Sequence, residues 1–430
     1  MLDFLKKLLP TTFKDWLRPF KMTLVDNPKK RKLFLHMQRK HQELLHQIKG
    51  KEKIKVVFLA IHKSVWKVDP VFQKMLNDPF FEPVILVCPY TVYGEERMKQ
   101  DMQECYEYFK EKGYPLLSSY HAEEQRWITL EEIQPDIVFF TNPHNLTRKE
   151  YYEDAYLNYL SCYAGYGMPI SKYENYQAQF NQVFHNAIWK IFVQTVEMVE
   201  NYKNISQRGR VGIELVGDCL VEQLRGTRFD QSTWKNAKQK IKIIYAPHHT
   251  IEDNKIFSIS TFLENAFFIK EIALKYKDDI YWSFKPHPLL KEKLLIHPDW
   301  GKQRTEDYYG FWIEFESSQV DEGEYIDLFK NSDAMILDSS SFLGEYLFVD
   351  KPILYLLKKD SLNYFSSFGH KCLSVSSQAL GNKEIENFIV QMLNDTDVNQ
   401  HKRCVLIDDY DRSLGYKIDT STRILKILKQ

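Results

Sequence analysis

The chain predicts an α/β architecture of two doubly wound, Rossmann-like domains facing one another across a cleft, with a helical extension in front. Three observations carry this. Short apolar runs alternate with charged segments of helical length, the pattern of parallel strands buried on both faces. The alternation restarts near Ile241 after a polar stretch. At 430 residues the chain is also too long for one ordinary core. The expected divisions are an extension over 1–50, a first domain over 51–230 and a second over 231–430.

Taken in order, Ile54 to Ile61 reads as the first strand, Val68 to Leu76 as a helix and Pro83 to Cys88 as a second strand. Glu95 to Lys112 is a charged helix; Pro115 to Leu117 and Asp136 to Phe140 are strands, and Ile213 to Gly217 closes the half. Arg225 to Lys240 is polar, carries Gly226 and lacks an apolar stripe, so it reads as a linker. The second half gives strands at Ile241 to Tyr245, Ile280 to Phe284, Phe311 to Phe315, Ala334 to Leu337 and Lys351 to Tyr355, with a helix over Ser260 to Tyr276.

Lys+Arg and Asp+Glu balance at 58 each, so net charge asks for no nucleic-acid partner. The excess is local: Met1 to Lys55 holds 15 Lys/Arg against five Asp/Glu. There Leu2, Leu5, Leu8 and Leu9 recur at helical spacing beside Lys6 and Lys7, with Trp16 and Phe20 further on. Lys29-Lys30-Arg31-Lys32 precedes a second stripe of Leu33, Phe34, Met37, Leu44, Leu45 and Ile48. Such stripes suit the inner face of an anionic cytoplasmic membrane, or equally a helix packed on the body or on a second subunit. No apolar run reaches the roughly 18–20 residues of a membrane span, and the first ten residues are too short for a signal-peptide core. Six scattered cysteines without a C-x-x-C pair fit a reducing cytoplasm.

Chemistry-bearing residues gather at strand ends. Asp338-Ser339-Ser340-Ser341 follows the run Ala334 to Leu337 where a helix should open. Hydroxyls and free N–H groups there form an anion site, with a diphosphate the natural guest, or merely cap the helix. His248-His249 follows Tyr245-Ala246-Pro247 and offers a phosphate contact, a proton shuttle or a metal site. For a metal the spacing is poor, since adjacent side chains diverge and no third ligand is near in sequence. Lys285-Pro286-His287-Pro288 fixes an imidazole between two prolines beside a cation, suited to general acid/base work or to neutralising a phosphoryl oxygen. In the first half, His62 with Lys63 and Asp69, Asn142-Pro143-His144-Asn145, and Gly165-Tyr166-Gly167-Met168-Pro169 leave strands or form turns on the cleft side, the glycines permitting close backbone approach. There is no Walker A, no D-x-D grip and no G-x-G-x-x-G, so the pattern requires neither cofactor nor metal.

On these residues the second half resembles the CDP-glycerol glycerophosphotransferase family of teichoic-acid and capsule-building enzymes. Tyr245-Ala246-Pro247 matches its Y-A-P strand end, and Lys285-Pro286-His287-Pro288 is similar to its R/K-x-H-P motif. Asp333 and Asp338 to Ser341 match S-D…D-Y-S-S, Glu345 stands where an aspartate is usual, and Lys351-Pro352-Ile353-Leu354 matches K-P-I-L. The match is good over about 211–357 and loose before it.

The resemblance implies a GT-B-like fold and transfer of an alditol phosphate from a CDP-activated donor to a glycan or lipid-linked saccharide, releasing CMP. His287 would be the catalytic or phosphate-binding histidine. Ser340 and Ser341 would hold the pyrophosphate, joined at the donor side by His248, His249, Lys285, Asp338, Ser339 and Glu345. Upstream, the H-G-T-P-L-K element is replaced by Tyr166-Gly167-Met168-Pro169-Ile170-Ser171. Either Tyr166 does something different there, or His62 or His144 supplies the base from the same domain, whose acceptor side also carries Gly167. A glycosyltransferase using a nucleotide sugar, or a silent membrane-recruited scaffold, are the competing readings.

Overall fold

Two parallel sheets organise the chain, and each reverses strand order beside its first strand. The structure, a computed structural model, describes residues 21–172, 176–227, 230–252, 258–415 and 418–430. Its strands are β1 (Ile54–Ala60), β2 (Phe81–Val87), β3 (Leu116–Ser118), β4 (Tyr120–His121), β5 (Arg126–Trp127), β6 (Ile137–Phe140), β7 (Leu160–Ala164), β8 (Lys190–Val193) and β9 (Ile213–Leu215) in the first half. The second half adds β10 (Ile241–Ala246), β11 (Ile280–Phe284), β12 (Ser318–Val320), β13 (Ala334–Leu337), β14 (Ile353–Leu356) and β15 (Ser377–Ala379).

The first sheet runs β3-β2-β1-β6-β7-β8-β9 and the second β12-β11-β10-β13-β14-β15, while β4 and β5 form a small antiparallel ribbon. Every pairing within the two large sheets is parallel. The order reverses between β1 and β6 and between β10 and β13. In sheets of this kind ligands bind at the strands' carboxyl ends beside such a reversal. This is the GT-B-like fold.

Burial on both faces explains the unbroken apolar runs. In β1, Val56 and Phe58 enter one core while Val57 and Leu59 enter the core on the other face. In β10, Ile244 and Ala246 face one core and Ile243 and Tyr245 another. Alternation survives as a change of core, which a polar/apolar reading cannot see.

Some expectations change. Of the stretch Phe311 to Phe315, all but Phe315 belongs to the helix Gly301–Glu314. Tyr308, Tyr309 and Trp312 are buried there while Ile313 is exposed, a helical period that the aromatic density hid. The strand is the more polar Ser318–Val320. The segment 225–240, read as a linker, is packed: Trp234 is 6% exposed and donates its indole N–H to the Leu328 carbonyl at 3.2 Å.

At the ends, the helix Asn27–Ile48 turns Phe34 and Met37 into the first half, and Arg31 donates to the Gln207 carbonyl. The second leucine stripe therefore faces protein. Residues 1–20, with Leu2, Leu5, Leu8, Leu9, Trp16 and Phe20, lie outside the described residues. The last helix, Thr420–Leu428, returns to place Ile424, Leu425 and Leu428 in the core of the first sheet. Among the described residues no helix is long and apolar enough to cross a membrane.

Candidate active site

Parallel register sets the site. Tyr245 lies opposite Phe284 and Ile336, and Ala246 opposite Leu337, so β10, β11 and β13 end level. Their exits deliver Pro247-His248-His249, Lys285-Pro286-His287 and Asp338 to Ser341 to one edge. The His287 amide donates to the Pro247 carbonyl at 3.0 Å and joins two of these exits.

The three imidazoles converge. Ring centroids of His248 and His249 lie 4.4 Å apart, those of His248 and His287 5.1 Å, and those of His249 and His287 4.1 Å. One ligand atom from each lies within 4.8 Å of the others. The expectation that adjacent histidines diverge without a third partner is thus corrected: the third ring arrives from the neighbouring strand, thirty-eight positions on. Burial holds the His287 pKa down to about 3, helped by His249 and Lys293. Burial first, then the neighbouring rings, pushes His248 well below the usual imidazole range. His287 Nδ1 accepts the Leu289 amide at 3.1 Å, and His248 Nδ1 sits 3.0 Å from the Thr250 hydroxyl.

Asp338 holds this edge together. Its fully buried carboxylate accepts the His248 amide at 2.5 Å, the Ser260 hydroxyl at 3.0 Å and the Thr261 amide and hydroxyl at 2.6 and 3.1 Å. Burial raises its pKa to about 6 against those donors. With so many bonds made, Asp338 braces the histidine loop. Ser339 is buried, while Ser340 and Ser341 keep part of their surface. The Ser339 and Ser341 hydroxyls are 3.3 Å apart, and Ser340 accepts the Ser171 hydroxyl at 2.9 Å.

A second group joins the halves. Lys285 Nζ donates to the Gly323 carbonyl at 2.9 Å and lies 5.5 Å over the Tyr325 ring; burial lowers its pKa to about 8. Lys67, from the loop after β1, lies 4.5 Å over the same ring. Tyr325 donates its hydroxyl to Glu345 at 2.6 Å. Burial lifts the Glu345 pKa to about 7, with Lys67 opposing. Lys67 and Tyr325 escaped the sequence reading, Tyr325 because β12 had been placed several residues early.

On the first-half side, His62 Nδ1 accepts the Ser64 amide at 3.1 Å, and burial lowers its pKa. The neutral ring then carries its proton on Nε2, making His62 a donor there. His144 is half-buried with its pKa lowered by burial, and among the described residues neither ring nitrogen makes a hydrogen bond. Tyr166 is 36% exposed, its phenol pKa raised by burial. Gly167 accepts the Gln194 amide at 3.3 Å, but a Cβ there would meet nothing within 4 Å; the close approach falls at Gly165, where it would come within 2.8 Å of Gln194 Nε2. Met168 and Ile170 leave this loop to enter the second-half core. Tyr166, His62 and His144 are not brought into contact with the imidazole cluster by any described bond.

The family model described as CDP-Glycerol:Poly(glycerophosphate) glycerophosphotransferase matches residues 224–383. That span contains β10 to β14, the three imidazoles and the serine turn. The match to the CDP-glycerol glycerophosphotransferase family covers somewhat over a third of the chain. Among solved structures, a variant of the wall teichoic acid polymerase TagF is similar at 14% identity and a TM-score of 0.56, over 97% of this chain and 96% of that one. A UDP-GlcNAc 2-epimerase from Neisseria meningitidis bound to UDP-GlcNAc is similar at 13% identity and a TM-score of 0.55, over 88% and 100%. A putative 2-epimerase from Listeria monocytogenes gives 14% identity and 0.54, over 88% and 96%. These likenesses describe the fold. No curated protein sequence matches the chain. Over that span the chain matches an enzyme family, the CDP-glycerol-type glycerophosphotransferases, and the matching motifs lie at the reversal point of the second sheet.

Proposed function

We propose that the protein transfers glycerol phosphate, or a related alditol phosphate, from a CDP-activated donor to a hydroxyl of a cell-surface glycan or lipid-linked saccharide. The observation that carries this is the convergence of the glycerophosphotransferase motifs on one edge, with His287 and the partly exposed Ser340 and Ser341 at level strand ends. The acceptor oxygen forms a new bond to the phosphorus bearing the alditol. The bond from that phosphorus to the bridging oxygen breaks, and CMP leaves with the electron pair. CMP is a good leaving group, so positioning and charge neutralisation supply most of the acceleration. His287, neutral with its proton on Nε2 because Nδ1 is engaged, donates to the diphosphate as Ser340 and Ser341 do.

A first-half base takes the acceptor proton. His144 suits this best, since the His62 lone pair is spent on the Ser64 amide and the Tyr166 phenol stays protonated. Residues 1–20 and the exposed Lys29 and Lys32 would bring the protein to the anionic inner face of the membrane, the stripe from Leu33 to Ile48 being used for packing.

Incubation of the purified protein with CDP-glycerol, CDP-ribitol and common nucleotide sugars tests the reading. Release of CMP with a new phosphodiester in the product supports it. Turnover only with a nucleotide sugar, releasing a nucleoside diphosphate, replaces it with glycosyl transfer.

A further inference from the structure

Nothing in the family motifs asks for two adjacent histidines after Tyr245-Ala246-Pro247, yet this chain has them, and β11 sets a third imidazole against both. We propose that His248, His249 and His287 form a binding site for a divalent transition-metal ion of zinc type, held by three ring nitrogens with a further position open to an anionic oxygen.

The geometry is preformed. One ligand atom from each ring lies within 4.8 Å of the other two, a separation that a single ion at ordinary metal–nitrogen distances can span. The rings come from two adjacent strand ends whose backbones are bonded to each other through the His287 amide and the Pro247 carbonyl. The approach is therefore fixed by the sheet, and not by mobile side chains. Imidazole is a ligand for zinc, nickel, copper and cobalt, whereas magnesium and calcium take oxygen. Three protein nitrogens with an open position is the arrangement of a site that meets a substrate, as opposed to one closed for structure.

The surroundings fit. The Lys293 ammonium near the cluster is paired with Glu252 at 3.0 Å. His248 Nδ1 sits 3.0 Å from the Thr250 hydroxyl, and His287 Nδ1 accepts the Leu289 amide at 3.1 Å. On His287 capture at Nε2 moves that ring's proton to Nδ1 and gives up the Leu289 bond, one local hydrogen bond against three metal–nitrogen bonds. The open position lies at the edge that also carries the serine turn. An ion there would take the place of the His287 Nε2 hydrogen bond in polarising the donor's diphosphate, a use that rests on the function proposed above; its binding does not.

The test is metal retention by the full chain, read without turnover. The protein is loaded with Zn2+ or Co2+, freed of excess by dialysis, and assayed for metal content and for the visible absorption of bound Co2+. The expected result is about one ion per chain, with retention falling tenfold or more in His249→Gln and in His248→Gln. Metal-free variants should unfold at nearly the wild-type temperature, with the rise on adding Zn2+ seen only in the wild type. Retention well below stoichiometry, or retention unchanged in both variants, overturns the site. So does a cluster that inorganic pyrophosphate occupies while Zn2+ does not, which makes it an anion cradle. Metal binding without CMP release would keep the site and remove the proposed transfer.

Discussion

The Ser171 hydroxyl donates to the Ser340 hydroxyl across 2.9 Å, tying the loop after β7 to the turn after β13. Around it, Lys172 donates to the Tyr364 carbonyl at 2.7 Å and Ser366 to the Ile170 carbonyl at 2.8 Å. The first half thus threads a strap through the second. Because Ser340 accepts from Ser171, its own O–H is left to donate to a ligand.

Replacing Ser340 with Ala should weaken CDP-glycerol binding by about 1 kcal/mol, roughly fivefold, the net worth of one hydrogen bond. Ser171→Ala should weaken it less. The pair should couple by about 0.5 kcal/mol or more in a double-mutant cycle read by calorimetry.

Gly344 and Gly369 are where the strap passes closest. A Cβ at Gly344 would lie 2.6 Å from Ile170 Cδ1, and one at Gly369 2.3 Å from the Ile170 carbonyl oxygen. Gly344→Ala should cost about 1–3 kcal/mol of stability, as overpacking does. Gly369→Ala should cost more, because backbone cannot swing aside. Thermal unfolding measures both.

The first-half base separates by substitution. His144→Gln should lower kcat by a factor of about 100 or more, the usual weight of a general base. His62→Gln and Tyr166→Phe should each stay within about tenfold. A large loss in His62→Gln with little change in His144→Gln would reverse the assignment.

Glu345 gives a pH signature. Its folded pKa, about 7, lies above its ordinary 4.5, so between those values the folded state binds more protons than the unfolded. Stability from this group is greatest below about pH 4.5 and falls as pH rises to 7, by at most about 1.4 kcal/mol per unit. Tyr325, Lys67, Lys285 and Asp218 face it. Glu345→Gln should flatten the wild-type slope across that window in denaturant melts; an unchanged difference between the two proteins rejects the shift.

Breaking the contact of Lys67 with the Tyr325 ring should be felt across the halves. Lys67→Met removes an attraction of about 0.5–2 kcal/mol to the Tyr325 ring. Lys67→Arg should restore most of it. The measurement is unfolding stability alongside kcat.

Much of this protein was legible in its residues alone. The runs of β1, β10, β11 and β13, the restart at Ile241 and the motifs at strand ends determined two parallel sheets and the edge where the motifs meet, since strand burial and strand-end chemistry are local properties of sequence. Tertiary structure decided what depends on partners far along the chain. His287 becomes the third ring beside His248 and His249 only because β11 pairs with β10. Asp338 proves to be a brace because Thr261 folds back onto it. Phe311 to Phe315 reads as a strand until the aromatic core around Trp312 selects the helix. Register and packing bring distant residues within bonding distance, and neither is written in the spacing of any one segment.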